Sequence, residues 1–251
     1  MSVPSGLTKE VDDDHLSGPQ LTDRVKAIIL FGSRARGDSD VFSDVDVVAF
    51  ANVRRATELH DIHQRLQHNR RLEKTEITLY STFTAEDMAT KGSLFLWHLR
   101  LEGKVLLARD EWLAGLMAKL APYPRQRALL DLATLQRILD DIDNGLRVTS
   151  LTTPFEAASL YTVLRNTGII ASFVSGSPLF SRRLPVEWLA SQMGDAFPYS
   201  GADLDFLEEC RLAYNGKRSF HTMPTQAGIA LLVSQAQSVL SFAVRRVRSG
   251  S

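Results

Sequence analysis

The segment 27–50 has the sequence AIILFGSRARGDSDVFSDVDVVAF. Its first five residues, 27–31, form a short apolar run ended by glycine, which indicates a buried strand. A polar loop rich in Arg, Gly, Asp and Ser follows, and Asp then alternates with Val over 44–48. Because successive side chains of a strand point to opposite faces, Asp44 and Asp46 are predicted to share one face while the intervening valines face a core.

Two carboxylates on one face of a half-buried strand indicate a site for a divalent cation. Like charges this close repel each other unless a proton or a cation lies between them. Mg²⁺ usually takes one or two carboxylates together with substrate phosphates. The preceding turn, Gly32-Ser33, offers backbone N–H groups and a hydroxyl that can hold a phosphate. The alternative is a surface hairpin whose acidic residues face water, but the apolar flanks and the strand and turn before them favour the cation site.

This arrangement resembles the signature of the DNA polymerase β-like nucleotidyltransferase superfamily. The signature is Gly-Ser, a spacer, and Asp-x-Asp on the next strand; here it is Gly32-Ser33, ten residues, and Asp44-Val45-Asp46. The spacer length is similar to that of the minimal nucleotidyltransferases and the antibiotic adenylyltransferases. The resemblance implies an α+β fold, in which a catalytic domain built on a small mixed sheet, like the polymerase β palm, precedes an all-helical domain.

A third carboxylate is expected on the strand predicted over 74–82, where polar and apolar side chains alternate. Glu76 is the only acidic residue inside that strand. The superfamily usually carries a third acidic residue there, so the resemblance assigns Glu76 a catalytic and metal-binding role. Such a group can act as general base on the attacking hydroxyl or complete a second metal site. The alternative is an exposed Glu that pairs with Lys74 or with a cross-strand partner.

Basic residues are predicted to contact the nucleotide phosphates. Arg34 and Arg36 follow the Gly-Ser turn, and guanidinium groups pair well with phosphate oxygens. The equal alternative is that both arginines pair with Asp38 or Asp40 and shape the loop. In the superfamily, a helical domain supplies basic groups to the triphosphate or the acceptor. That resemblance makes Lys217 a candidate among several basic residues of the C-terminal part.

Helical periodicity dominates the rest of the chain. Residues 54–71 and 84–101 are each predicted to form one helix, and 105–107 a short last strand. The helix predicted over 153–174 is apolar on much of its surface, which places it at the centre of its domain. Further helices are predicted over 110–120, 125–147, 203–214 and 225–247, with a loop over 175–188.

The change in character after residue 109 predicts two domains. We expect an N-terminal arm over 1–19, a nucleotidyltransferase catalytic domain over 20–108 and a helical domain over 110–251. The resemblance to the superfamily places the active site in the cleft between the two domains.

Composition limits the class of protein without identifying it. The 251 residues carry 29 Lys and Arg against 29 Asp and Glu, so the overall charge gives no argument for nucleic acid. The single cysteine excludes an internal disulfide framework. Neither a run of about 18 apolar residues nor a secretory signal is evident, so a cytoplasmic enzyme without a membrane partner is expected.

The predicted activity is nucleotidyl transfer. The resemblance implies an enzyme that uses two Mg²⁺ ions and an NTP, with ATP as the expected donor, to transfer NMP to an acceptor hydroxyl. The acceptor is open between a small molecule such as an aminoglycoside, a tRNA end and a protein. The alternative is a catalytically silent module that keeps the fold and serves in binding or regulation.

Overall fold

The computed structural model describes residues 24–41, 43–68 and 75–249. Its internal contacts divide the chain into two compact units, Met1–Pro122 and Tyr123–Ser251. The predicted N-terminal arm, residues 1–19, lies outside the described residues.

A four-stranded mixed sheet forms the centre of the first unit. Its strands are β1 (Val25–Phe31), β2 (Val45–Ala51), β3 (Thr75–Ser81) and β4 (Lys104–Ala108). They lie in the order β3-β2-β1-β4, with β1 antiparallel to both of its neighbours and β2 parallel to β3. A parallel pair needs a crossover connection, and helix α2 (Ala56–Gln67) lies in it. The mixed sheet confirms the predicted α+β class.

Helices cover both faces of this sheet. On one face, Ile62 and Leu66 of α2 pack against Val47 and Ile77. The other face is covered by α3 (Thr82–Thr90), α4 (Leu94–Glu102) and α5 (Trp112–Ala118). Alternate residues of β2 are therefore buried on both sides, which differs from the half-buried strand that the alternation of Asp and Val predicts. Asp46 lies near the start of this strand, whose residues from Val47 onward are all buried.

The single helix predicted over 84–101 is two helices, α3 and α4. They separate at Gly92, where φ is +66° and where a Cβ atom would collide with the backbone carbonyl of Pro122. Only glycine fits that position, so the chain turns there although the helical periodicity continues on both sides. Helix α3 also begins two residues before the predicted start, and the hydroxyl of its N-cap residue Ser81 accepts the N–H of Thr84 at 3.0 Å.

Helix α5 belongs to the first unit, whereas the sequence places everything after residue 110 in the helical domain. Its buried residues Leu113 and Leu116 pack in the same core as Phe50 of the sheet. An amphipathic helix this short shows in its sequence which face is apolar, but not which core receives that face.

The second unit is helical throughout its regular structure. Its elements are α6 (Arg125–Val148), α7 (Thr153–Val174), α8 (Leu184–Met193), a 3₁₀ turn (Gly194–Ala196), α9 (Gly201–Tyr214) and α10 (Gln226–Ser249). Helix α7 buries 14 of its 22 residues and contacts α6, α8, α9 and α10. The prediction that it is central is confirmed. The loop predicted over 175–188 ends sooner, because Pro185 lies in the first turn of α8, a position that proline favours.

Helix α10 is long and apolar enough to cross a membrane, judged by length and composition alone. Its most apolar 18 residues have a mean hydropathy of 1.6, which differs from the sequence-based expectation of no such stretch. Scattered Ser and Gln residues interrupt the apolar run, so the sequence shows no continuous apolar stretch of that length. The helix packs against α6 and α7, and its buried residues include Ile229, Val239 and Val247. A helix in the core of a protein can be equally long and apolar, so this test of length and composition does not distinguish the two cases.

The only cysteine of the sequence, Cys210, lies on α9 and is fully buried. Burial, with a smaller contribution from the nearby Glu209 carboxylate, raises the pKa of its thiol to about 11. The thiol therefore stays protonated at neutral pH and behaves as a small apolar group.

Gly168 of α7 lies against the backbone of Pro185 in α8, which leaves no room for a side chain. A Cβ atom there would lie closer than 3.0 Å to the carbonyl group of Pro185, and backbone cannot rotate away as a side chain can. We expect Gly168→Ala to lower the free energy of unfolding by about 1–3 kcal/mol, measured by urea denaturation.

Gly201→Ala is the matched control for that measurement. Gly201 begins α9, and none of the described atoms would lie within 4 Å of a Cβ atom added to it, so the change should stay within about 0.5 kcal/mol. If the two variants were equally stable, the contact between α7 and α8 at Gly168 would adjust to a methyl group at little cost in free energy.

Candidate active site

The Gly-Ser turn starts a short helix directly at the end of β1. Helix α1 (Gly32–Arg36) replaces the first half of the polar loop that the sequence predicts. It is bounded by two glycines with positive φ, Gly32 at +72° and Gly37 at +86°, which is a conformation that other residues resist. The N–H of Gly37 donates to the carbonyl of Ser33 at 2.9 Å and closes the helix.

Asp46 and Glu76 are brought together by the pairing of their strands. Asp46 of β2 is the register partner of Glu76 in β3 and of Phe31 in β1. Residues paired in this way project from the same face of a sheet, and neighbouring strands lie about 4.8 Å apart. The parallel ladder therefore puts two carboxylates side by side on one face.

The Asp46 carboxylate also lies against the glycine turn. A Cβ atom built on Gly32 would come closer than 3.0 Å to Oδ2 of Asp46. The missing side chain thus leaves the space in which this carboxylate sits. Turn and carboxylate are adjacent, as the Gly-Ser and Asp-x-Asp motifs together predict.

Asp44 and Glu76 are exposed, and Asp46 is half-buried. Asp44 lies one residue before β2 begins at Val45, whereas the sequence predicts it inside the strand. In the ranges that the structure describes, no group of three His, Cys, Asp or Glu side chains is close enough to hold a metal ion. The arrangement that is present is a carboxylate pair beside a glycine turn.

Aromatic side chains surround the inner end of this site. Phe31 contacts the ring of Phe95 edge-on, with ring centroids 5.5 Å apart, and Tyr80 lies 5.8 Å from the same ring. Phe31 precedes Gly32 and is paired with Asp46, so the carboxylate has apolar surface on its core side. Less water on that side strengthens its attraction for a cation.

The two arginines of α1 differ in their surroundings. Arg36 forms ion pairs with Asp38 at 3.1 Å and with Glu102 at 2.8 Å, so the alternative of pairing with Asp38 describes its position. The Nε atom of Arg34 is buried and has no hydrogen-bond partner among the described residues. Lys217 lies in the second unit, half-buried in the segment after α9.

Sequence reasoning did not find the contribution of α4 to this region. Glu102 pairs with Arg36 and also with His98, whose Nε2 lies 3.0 Å from the same carboxylate oxygen. The signal was present as the Glu-Gly-Lys sequence at 102–104, after a helix and before a strand. Its acidic residue was not connected with the Gly-Ser turn, because the two are far apart in the chain.

The comparisons with known proteins give one family. Residues 20–112 match the model of the family described as Polymerase beta, Nucleotidyltransferase. These residues therefore form a domain of the polymerase β nucleotidyltransferase family, and the resemblance drawn from the two motifs is confirmed. No protein of curated function matches the chain.

The solved structures that are similar to the chain include the following two. One is a toxin-antitoxin with AMP-PNP, with 17% identity, a TM-score of 0.31, and coverage of 52% of this chain and 98% of that one. The other is a nucleotidyltransferase-like protein from Exiguobacterium sibiricum 255-15, with 14% identity, a TM-score of 0.37, and coverage of 92% and 73%. Similarity at this level gives no information about the activity of the chain.

Family membership supports the general class of reaction. Domains of this family transfer a nucleoside monophosphate, so the chain carries a nucleotidyltransferase domain of the transferase class.

Proposed function

We propose that the chain is a Mg²⁺-dependent enzyme that transfers AMP from ATP to an acceptor hydroxyl and releases pyrophosphate. One observation carries the proposal: the Asp46 carboxylate lies against Gly32 and is paired in register with Glu76. Within a nucleotidyltransferase-family domain, a carboxylate that touches a glycine turn and has a second carboxylate beside it supports a site for a cation and phosphates.

The donor atoms present suit Mg²⁺. Asp44, Asp46 and Glu76 offer carboxylate oxygens, which are the ligands this hard cation prefers. Because Mg²⁺ usually takes one or two carboxylates and completes its shell with substrate phosphates and water, a preformed cluster of three is not required. When bound, two such ions would neutralise the triphosphate and lower the pKa of the acceptor hydroxyl.

The residues of the turn position the nucleotide. Gly32 lets the backbone approach the phosphates, and the Ser33 hydroxyl donates a hydrogen bond to them. Arg34 follows Ser33 directly and brings a guanidinium group, which pairs well with phosphate oxygens. Lys217 remains a predicted phosphate contact from the helical unit.

Glu76 accepts the proton of the acceptor hydroxyl. The hydroxyl oxygen attacks the α-phosphorus in line, a new P–O bond forms, and the bond to pyrophosphate breaks. Glu76 is exposed, which suits a base that must reach a substrate arriving from solvent. It lies one strand spacing from Asp46, whose carboxylate in turn lies against Gly32.

Transfer of label tests the proposal directly. The chain is incubated with α-³²P-labelled ATP, CTP, GTP or UTP, with Mg²⁺, and with aminoglycosides, tRNA or protein as acceptors. We expect transfer from ATP to one acceptor class, loss of transfer with EDTA, and recovery with excess Mg²⁺. The labelled product identifies both donor and acceptor.

Two results would contradict the proposal in different ways. Transfer that persists in EDTA would exclude the metal assignment. An absence of transfer, together with no Mg²⁺-dependent shift in melting temperature by any NTP, would favour the catalytically silent module.

A further inference from the structure

A charged cluster joins the phosphate turn to helix α4. Nη1 of Arg36 lies 2.8 Å from Oε2 of Glu102, and Nε2 of His98 lies 3.0 Å from the same oxygen. The three side chains are 18%, 18% and 12% exposed, respectively. Shielded pairs of this kind are stronger than the exposed ion pairs on most protein surfaces.

The two partners of Glu102 favour the ionised form of its carboxyl group. Burial works to raise the pKa of this carboxyl, but hydrogen bonds from His98 and Arg36 outweigh burial and hold the pKa below its usual range. Glu102 is therefore ionised at neutral pH and attracts the guanidinium.

Arg36 is occupied on two sides by this arrangement. Its Nη1 faces Glu102, and its Nε donates to Asp38 at 3.1 Å. The two carboxylates already offset the positive charge of the guanidinium, which weakens its attraction for a phosphate. The geometry thus favours a structural task for Arg36 over direct contact with the nucleotide.

Helix α4 also holds the other side of the turn. The ring of Phe31, directly before Gly32, meets the rings of Phe95 and His98 edge-on at 5.5 and 5.6 Å. Helix α4 therefore contacts the residue before the Gly-Ser pair and the arginine three residues after it. A five-residue helix has little stability of its own, so such contacts decide its position.

We propose that Glu102, supported by His98, is a positioning residue that anchors Arg36 and fixes α1, so that Gly32 and Ser33 are preformed for a nucleoside triphosphate. This inference rests on the proposed function in one respect, namely that the Gly-Ser turn binds the triphosphate.

The expected consequence is a loss of nucleotide affinity. Without the anchor, α1 occupies its competent position only part of the time, and the apparent dissociation constant rises by the inverse of that fraction. Bound ATP restores the position, so turnover at saturating ATP should change much less. A competent fraction of one tenth corresponds to a roughly tenfold weaker affinity.

A double-mutant cycle tests the anchor. Mg²⁺-ATP binding is measured by calorimetry for wild type, Arg36→Met, Glu102→Gln and the double variant. We expect each single variant to bind roughly tenfold more weakly and the double variant to bind no worse than either. The kcat of each at saturating ATP should stay within about threefold of wild type.

Asp38→Asn is the matched control, since it removes the other carboxylate partner of Arg36. Asp38 is 50% exposed, and exposed pairs contribute little, so ATP affinity should be unchanged. Arg36→Lys keeps the positive charge but loses the planar, two-pronged geometry of the guanidinium. Its ATP affinity should lie between those of wild type and Arg36→Met.

Opposite behaviour of the two single variants would overturn the inference. If Arg36 binds phosphate directly, Arg36→Met weakens binding while Glu102→Gln leaves it unchanged or improves it by freeing the guanidinium. A Glu102→Gln variant with a lower melting temperature and normal ATP affinity would likewise reduce Glu102 to a general stabilising role.

Amide hydrogen exchange separates this inference from the proposed function. Without nucleotide, Glu102→Gln should accelerate exchange over residues 32–37, whereas Asp38→Asn should not. That result supports the anchor even if wild type transfers no nucleotide, and equal exchange in all variants overturns the anchor even if transfer is normal.

Discussion

Asp46→Asn is expected to lower the rate of nucleotidyl transfer by about a thousandfold or more, equivalent to about 4 kcal/mol at the transition state. The substitution keeps the size and shape of the side chain but removes the negative charge that would bind the cation. Asp46 lies against Gly32 and beside Glu76, so no other carboxylate of the described residues occupies the same position.

The fold should survive this change. Asp46 is half-buried at the end of β2, and the apolar residues that hold the strand, such as Val48 and Phe50, are untouched. Because asparagine has the shape of aspartate, the melting temperature of Asp46→Asn should stay within about 4 °C of wild type.

Asp61→Asn provides the matched control on the exposed surface of α2. It removes the same charge and should leave transfer within about twofold of wild type. Comparable activity of Asp46→Asn and Asp61→Asn would show that Asp46 does not take part in the chemistry.

Gly32→Ala should reduce transfer by about a hundredfold, because a Cβ at this position must displace the Asp46 carboxylate. The backbone also contributes, since φ is +72° at this residue and alanine in that region costs about 1 kcal/mol. Gly32→Ala is therefore expected to change both the stability of the fold and the position of the Asp46 carboxylate.

Gly37→Ala separates the two effects. Gly37 has a φ of +86°, so alanine meets a similar backbone cost, but its Cβ would have none of the described atoms within 4 Å. We expect both variants to lose about 1 kcal/mol in urea denaturation, and only Gly32→Ala to lose most of its activity. Equal activities would mean that the carboxylate can move aside without consequence.

The sequence predicted local features of the fold well where one pattern dominates. The strands around 27–31 and 75–81 and the central helix α7 follow from apolar runs and alternation. The Gly-Ser and Asp-x-Asp motifs also identified the family, because the spacing of a turn and two carboxylates is a chemical requirement that the sequence displays directly.

Features that depend on distant contacts were not predictable in this way. Nothing local distinguishes Gly92, which divides α3 from α4, from a glycine tolerated inside one helix; the difference is the backbone of Pro122 beside it. The hydrogen bond that Arg36 donates to Glu102 joins residues 66 positions apart. The pattern identified acidic and basic residues but could not show which of them meet.

The buried thiol of Cys210 has a practical consequence for these experiments. With a pKa of about 11, only about one thiol in a thousand to ten thousand is ionised near neutral pH, and alkylating reagents react with the thiolate. A second cysteine introduced by Val41→Cys, at a residue 90% exposed and four positions after Gly37, would therefore take up a maleimide dye almost alone. The native protein thus already provides the unreactive background that site-specific fluorescence requires, and a dye at that position would follow ordering of the neighbouring turn in real time.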